Sequence, residues 1–378
     1  MATHSAKTDP SPIPFLDLVA QHSALEEHLV EAFRRALRTA RFVNGPEVTA
    51  FEQEFAAFVG APGCVGVASG TDALRFALVA LGLRAGDEVI TVPHTFIATT
   101  EAITQAGGVI RFVDVDEQTM TLDPHLLEAA IGTRTVGILP VHLYGHPCDM
   151  DPIMATASKH GLWVLEDACQ AHGAAYRGRG VGTMGALAGY SFYPGKNLGA
   201  CGDGGAVTGS RPDLLDTVRR LREHGQGEKY IHETEGYTGR LDAIQAGFLR
   251  IKLPHLNGWI EGRRRAAAWY REALADVADV QLPVEAEWAR HVYHLFVIRG
   301  ERRADLQAHL ARQGVGTGLH YPVPLHLQRA YLGMGFKRGS FPVAERTSDR
   351  LLSMPMFAEL SEAQVDRVAS GIRSFYGR

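Results

Sequence analysis

The sequence predicts an α/β protein: a large domain built on a mainly parallel central sheet flanked by helices, with a smaller α+β domain after it. From about residue 64, short runs of branched apolar residues alternate with amphipathic helical segments. That pattern marks strands buried on both faces of a sheet. After about residue 250 the alternation stops, and long helices surround a lone strand. With 378 residues, 46% of them hydrophobic and 21% charged, the chain can bury a sizeable core and exceeds one small module. The expected division is a flexible N-terminal tail over 1–12, a large domain over 13–250 and a small C-terminal domain over 251–378.

The elements follow in order. Residues 1–12 are mostly small, polar or proline, without an apolar stretch, and read as a loose tail. Ser23 and Glu26 have the spacing of a capping box, so a helix is expected to start there, with Leu25, Leu29, Phe33 and Leu37 as its apolar stripe. Residues 71–83 read as a helix with Leu74, Leu78 and Leu81 on one face, and 88–92 as a strand after the Gly86-Asp87 turn. Strands are expected at 109–113, 136–141 and 162–165, with helices at 123–131 and 151–160 between them. In the last third, 260–277, 303–313 and 362–375 read as helices and 292–298 as a strand. Ligands of parallel sheets gather at the carboxyl ends of the strands, so the chemistry is expected there.

Composition narrows the function. The net charge of −4, from 38 basic and 42 acidic side chains, argues against nucleic-acid binding. The arginine clusters at 34–35, 219–220 and 263–265 fall on helical patterns and read as solvated faces. Cys64, Cys148, Cys169 and Cys201 form no CxxC pair, which excludes a zinc ribbon and suits a reducing compartment. No run of about 18 apolar residues occurs, so no membrane span is expected, and the default location is the cytoplasm. Several motifs fail on context. Gly180 to Gly185 fits GxGxxG, but no helix pattern follows it, so a loop is expected. His142 and His146 are separated by Gly145, and Pro147 follows, against a helical metal pair. His291 and His294 fall in or beside a strand on opposite faces, and Asp114-Val115-Asp116 lacks the glycine of a calcium loop. No metal site is expected.

Four segments fit one site. Ser69-Gly70-Thr71-Asp72 opens the helix at 71–83, where unpaired N–H groups and a glycine suit an anion. Glu166-Asp167 closes the strand at 162–165, and a carboxylate there needs a cation or several donors. Lys196 stands in the low-charge stretch Pro194-Gly195-Lys196-Asn197-Leu198-Gly199, where desolvation favours its neutral amine and imine chemistry. Phe96, after the strand at 88–92, offers a face on which a flat ring can stack.

These segments carry a family resemblance. Ser69-Gly70-Thr71-Asp72-Ala73-Leu74, Glu166-Asp167 with Gln170-Ala171-His172-Gly173, and Ser191-Phe192 with Pro194 to Gly199 resemble the DegT-type (DegT/DnrJ/StrS) sugar aminotransferases. So do Asn44-Gly45-Pro46-Glu47-Val48, Pro140 to Gly145, Arg240-Leu241-Asp242, and His320-Tyr321-Pro322 with Pro324-Leu325-His326, and the likeness covers nearly the whole chain. The resemblance implies a pyridoxal 5′-phosphate (PLP) enzyme of the aspartate-aminotransferase fold, type I. Residue by residue, Lys196 matches the lysine that holds PLP as a Schiff base and moves the proton. Asp167 matches the carboxylate at the pyridine nitrogen, and Gln170 a neighbour of the ring's phenolic oxygen. Phe96 matches the stacking ring, and Gly70, Thr71 and Ser191 match phosphate contacts.

Thr238, in Gly236-Tyr237-Thr238-Gly239-Arg240, stands where the family has an asparagine that reaches the partner's phosphate across a homodimer interface. Tyr321 and His326 are candidate substrate contacts. The implied reaction carries an amino group from an amino acid, L-glutamate or L-glutamine, to a nucleotide-linked keto-sugar, with a lean to carbon 3 from Lys229-Tyr230 and His232. A cyclitol ketone is also within the family's range. A PLP-dependent sugar deoxygenase or dehydratase is disfavoured by Lys196, which such relatives commonly replace with histidine. A non-catalytic regulatory protein has no need of Lys196, Asp167 and Ser191 together. No arginine stands out as the partner of the donor's carboxylate.

Overall fold

The computed structural model describes residues 11–377; the expected tail therefore lies largely outside the described residues. Seven strands form the central sheet: β1 (Gly63–Val67), β2 (Glu88–Thr91), β3 (Val109–Phe112), β4 (Thr135–Ile138), β5 (Trp163–Asp167), β6 (Leu187–Ser191) and β7 (Gly205–Gly209). Their order is β1-β7-β6-β5-β4-β2-β3. β1 and β6 each pair antiparallel with β7, and every other pairing is parallel, so β7 alone runs against the rest. Every residue of β2 and β7 is buried, which requires cover on both faces of the sheet. The alternating apolar runs of the sequence are these strands.

The longer helices of this part are α1 (Leu18–Ser23), α2 (Glu26–Thr39), α3 (Pro46–Val59), α4 (Gly70–Ala80), α5 (Ala98–Gln105), α6 (Met150–His160), α7 (Pro212–Arg222) and α8 (Ala243–Lys252). The capping box expected at Ser23 and Glu26 does not form. Asp17 caps α1 by accepting the Ala20 N–H at 2.9 Å. Ser23 is thereby helical, its hydroxyl donating to the Val19 carbonyl at 2.8 Å, and it cannot take the extended backbone of an N-cap. Of the expected stripe, Leu25 is buried while Phe33 and Leu37 are exposed. The helix expected at 123–131 is shorter too, a 3₁₀ turn at Pro124–Leu126 followed by one α turn at Leu127–Ala130.

A second core collects around a three-stranded antiparallel sheet, β8 (Val280–Gln281), β9 (Phe296–Gly300) and β10 (Leu351–Met354), with β9 in the middle. The C-terminal helices are α9 (Leu256–Ala273), α10 (Arg303–Arg312), α11 (Pro342–Arg350) and α12 (Glu362–Tyr376). Tyr270, Phe296, Leu310, Val365 and Ile372 fill this core, and Ile13 joins it from the other end of the chain. Leu325, Tyr331 and Phe341 pack into the first core instead. A capping box does occur, at Ser361 and Gln364 of α12.

The strand expected at 292–298 begins only at Phe296, because the preceding backbone is bonded elsewhere. Val292 N–H donates to the Gly145 carbonyl and Leu295 N–H to that of Tyr144, at 3.1 and 3.3 Å. His291 and His294 are thus not on opposite faces of a strand. No helix among the described residues is long and apolar enough to cross a membrane, and no cluster of metal-ligating side chains occurs among them.

Candidate active site

The carboxyl ends of β1, β2, β5 and β6 open onto one cavity of about 560 Å³. After β1 the chain turns at Ser69, whose Oγ accepts the Asp72 N–H at 3.1 Å while its carbonyl accepts that of Ala73 at 2.9 Å. Gly70 and Thr71, the first residues of α4, line the cavity at the positive end of the helix dipole. Glycine is required at 70: a Cβ there would lie 2.6 Å from Ser191 Cβ and 3.0 Å from Cys169 Sγ. The helix start is pressed onto the end of β6.

Asp167 ends β5 almost fully buried. Its Oδ2 accepts from Thr99 Oγ1 at 2.7 Å and its Oδ1 from the Cys169 N–H at 3.2 Å. Thr99 in turn shares a hydrogen bond of 2.9 Å with Thr95. The adjacent Glu166 points away, as strand alternation demands. Its carboxylate, fully buried, accepts N–H groups of Gly182, Met184 and Gly185 at 2.7–2.8 Å and meets His142 Nε2 at 3.1 Å. Burial pushes its pKa up, and the His142 contact and the amides outweigh that and hold the carboxyl below its ordinary value. The GxGxxG run is the expected loop, and it wraps this carboxylate.

Lys196 sits on the loop after β6, where its N–H donates to the Tyr193 carbonyl at 2.8 Å. The neighbouring Asn197 is buried and anchors the loop through Nδ2 to the Val292 carbonyl at 3.1 Å. The Lys196 side chain is half-buried in the cavity. Burial lowers its pKa, against the opposing pull of Cys169 and Asp167. Gln170 is fixed at both ends: Oε1 accepts the Tyr144 N–H at 2.8 Å and Nε2 donates to Tyr321 Oη at 3.2 Å. Phe96 presents a half-exposed ring, tilted against Tyr321 with centroids 5.6 Å apart.

The cavity therefore brings together Gly70, Thr71, Phe96, Asp167, Gln170, Ser191, Lys196 and Tyr321. It does not include Thr238, which is exposed and shares a hydrogen bond of 3.2 Å with His224 Nε2. His326 is no cavity residue either: it is fully buried, 2.9 Å from Glu345 Oε1 and edge-on to Phe341. The 3₁₀ turn Leu325–Leu327 packs it into the core, so the expected substrate contact is absent.

Among the lining residues that were not foreseen are Thr99, His294 and His320. Thr95 and Thr99 do stand one helical turn apart, but no local pattern links either to Asp167. The set fits a phosphorylated pyridine. The α4 start and Ser191 suit its phosphate, Asp167 a protonated ring nitrogen, Phe96 its face and Lys196 its aldehyde.

Comparison with known proteins agrees. Residues 23–373 match the model of the DegT/DnrJ/EryC1/StrS aminotransferase family. The chain is 47% identical to the dTDP-3-amino-3,4,6-trideoxy-alpha-D-glucose transaminase of Streptomyces venezuelae, over 99% of each chain. It is 48% identical to the erythromycin biosynthesis sensory transduction protein EryC1 of Saccharopolyspora erythraea, over 96% of this chain and 99% of that one. The crystal structure of S. venezuelae DesV in complex with a ketimine intermediate superposes with a TM-score of 0.95 at 47% identity, over 97% of this chain and 99% of that one. The chain belongs to the DegT/DnrJ/EryC1/StrS aminotransferase family, whose members work with pyridoxal 5′-phosphate.

Proposed function

We propose that this aminotransferase, acting as a homodimer in the cytoplasm, moves an amino group from L-glutamate or L-glutamine to carbon 3 of a nucleotide-linked keto-sugar. The observation that carries the reading is the meeting of Lys196, Asp167 and the start of α4 in one cavity. PLP supplies, when bound, the electron sink for the carbanion formed at the donor's α-carbon. Asp167, steadied by Thr99 and the Cys169 amide, keeps a proton on the ring nitrogen. Lys196 Nζ, made less basic by burial, would take the donor's α-proton and carry it to the other side of the imine nitrogen. The Gly70 and Thr71 amides and the Ser191 hydroxyl would hold the cofactor's phosphate, and Phe96 and Gln170 would hold its ring.

The lean to carbon 3 has support in the S. venezuelae relative, which is named as a 3-amino-sugar transaminase. Dimerisation has support in the exposed Val30, Phe33 and Leu37 of α2, with Phe42 and Val43 just beyond it. An apolar stripe of this kind usually marks an association face. Thr238 is exposed and outside its own cavity, which suits a role at a partner's.

Gly70→Ala is expected to weaken PLP at least tenfold, about 1.4 kcal/mol, because the added methyl meets Ser191 and Cys169. Titration of the apo-protein with PLP, followed by tyrosine and tryptophan fluorescence, measures it. The name of the EryC1 relative favours a regulatory reading as the alternative. The visible spectrum of the PLP-loaded protein separates the two. Bleaching of the lysine-bound cofactor band by L-glutamate or L-glutamine, with release of the 2-oxo acid, supports the transaminase. A band that ignores both donors overturns the assigned donor, and no band at all overturns the PLP chemistry.

A further inference from the structure

No arginine is among the residues that line the cavity, and Lys196 is their one amine. An amino-acid donor nevertheless brings a carboxylate on the very carbon that reacts, within a bond or two of Lys196. With Lys196 committed to the cofactor and its proton, another group must meet that charge.

His294 lines the same cavity. Its Nδ1 is buried without a partner among the described residues. A hydrogen on Nδ1 would be stranded there, at the cost of an unmet buried donor. The hydrogen therefore belongs on Nε2, a tautomer assigned from the bonding pattern. Nε2 has no bond among the described residues and is not one of the buried orphaned atoms, so it is the nitrogen open to the cavity. Burial, and then the charges of Lys196 and Arg263, hold the ring neutral. What remains is a single N–H, unused within the chain.

The backbone that carries this ring is firmly seated. Arg263 is almost fully buried, and its Nη1 donates to the carbonyls of Tyr293, His294 and Met356 at 3.0–3.1 Å. The other imidazole of the wall, His320, is already engaged: its Nδ1 lies 2.8 Å from Ser353 Oγ and its ring stacks on Phe15. Of the two imidazoles in the wall, His294 is the one with neither nitrogen hydrogen-bonded among the described residues.

We propose that His294 is a substrate-contacting residue that donates its Nε2–H to the α-carboxylate of the amino donor, in the place where an arginine would otherwise serve. The inference rests on the transaminase reading above.

The test uses PLP-loaded His294→Phe, which keeps the ring's bulk and removes the N–H, and His294→Gln, whose amide restores a donor at similar reach. Each is titrated with L-glutamate, and the half-reaction is followed by the cofactor's absorbance. In the phenylalanine variant the apparent Kd for L-glutamate is expected to rise about ten- to a hundredfold, with a much smaller change in limiting rate. The glutamine variant recovers most of the loss. A merely packing role predicts the reverse order, because phenylalanine fills the site better. Unchanged affinity in His294→Phe overturns the proposal, as does equal loss in both variants or loss of the cofactor band in both. A wild-type protein that holds the cofactor but ignores L-glutamate fails separately, because that result overturns the donor reading before any variant is made.

Discussion

Lys196→Ala is expected to lower kcat by about a thousandfold or more. Lys196 is the one amine among the residues that line the cavity, and its partners there cannot replace it. Asp167 is already engaged by Thr99 and the Cys169 amide, and its assigned partner is the ring nitrogen. The imidazoles of His294 and His320 have pKa values pushed down by burial, His320 to about 4, and are poor bases. Removing the amine thus removes both the covalent anchor of the cofactor and the proton carrier. The phosphate and ring contacts remain, so the variant should still bind PLP, with the band of free rather than lysine-bound aldehyde. Steady-state turnover and the visible spectrum measure both effects. Turnover within tenfold of wild type would sink the assignment.

The largest effect on stability is expected at Glu166. Its carboxylate is fully buried and answers three backbone amides and His142. Glu166→Ala leaves those donors facing a void in the core. Removal of one side of such a buried charged network typically costs about 3–5 kcal/mol. Urea unfolding should show the midpoint falling without a large change in slope.

The pH dependence follows from the same contacts. A carboxyl held below its ordinary 4.5 binds fewer protons folded than unfolded. Its stabilisation is therefore complete above about 4.5 and is lost as pH falls through the folded value. Wild type should lose stability more steeply than Glu166→Ala across that acid window. Parallel acid profiles for the two proteins would refute the account.

Much of this was legible in the chain. The apolar runs became β2, β3, β4 and β5, the helix at 71–83 became α4, and four separated segments became one cavity. Those features depend on short-range periodicity and on the chemistry of individual side chains, both carried residue by residue. The errors share one cause. Ser23 has the composition of a cap, yet Asp17 had already started a helix that absorbed it. His326 sits in a motif with the right letters, yet a 3₁₀ turn carries it to Glu345 in the core.

Composition, strand and helix periods, and the lysine, aspartate and glycine of the site are thus properties of local sequence. Folding settled which neighbour of the Glu166-Asp167 doublet meets the cavity, which helix cap wins and which histidine of the cavity wall keeps an unspent hydrogen. Each of these outcomes is a competition between groups far apart in the chain. Their burial and hydrogen bonding exist only once the sheet has closed and brought residues such as Thr99 and Asp167, or Arg263 and His294, within reach of one another.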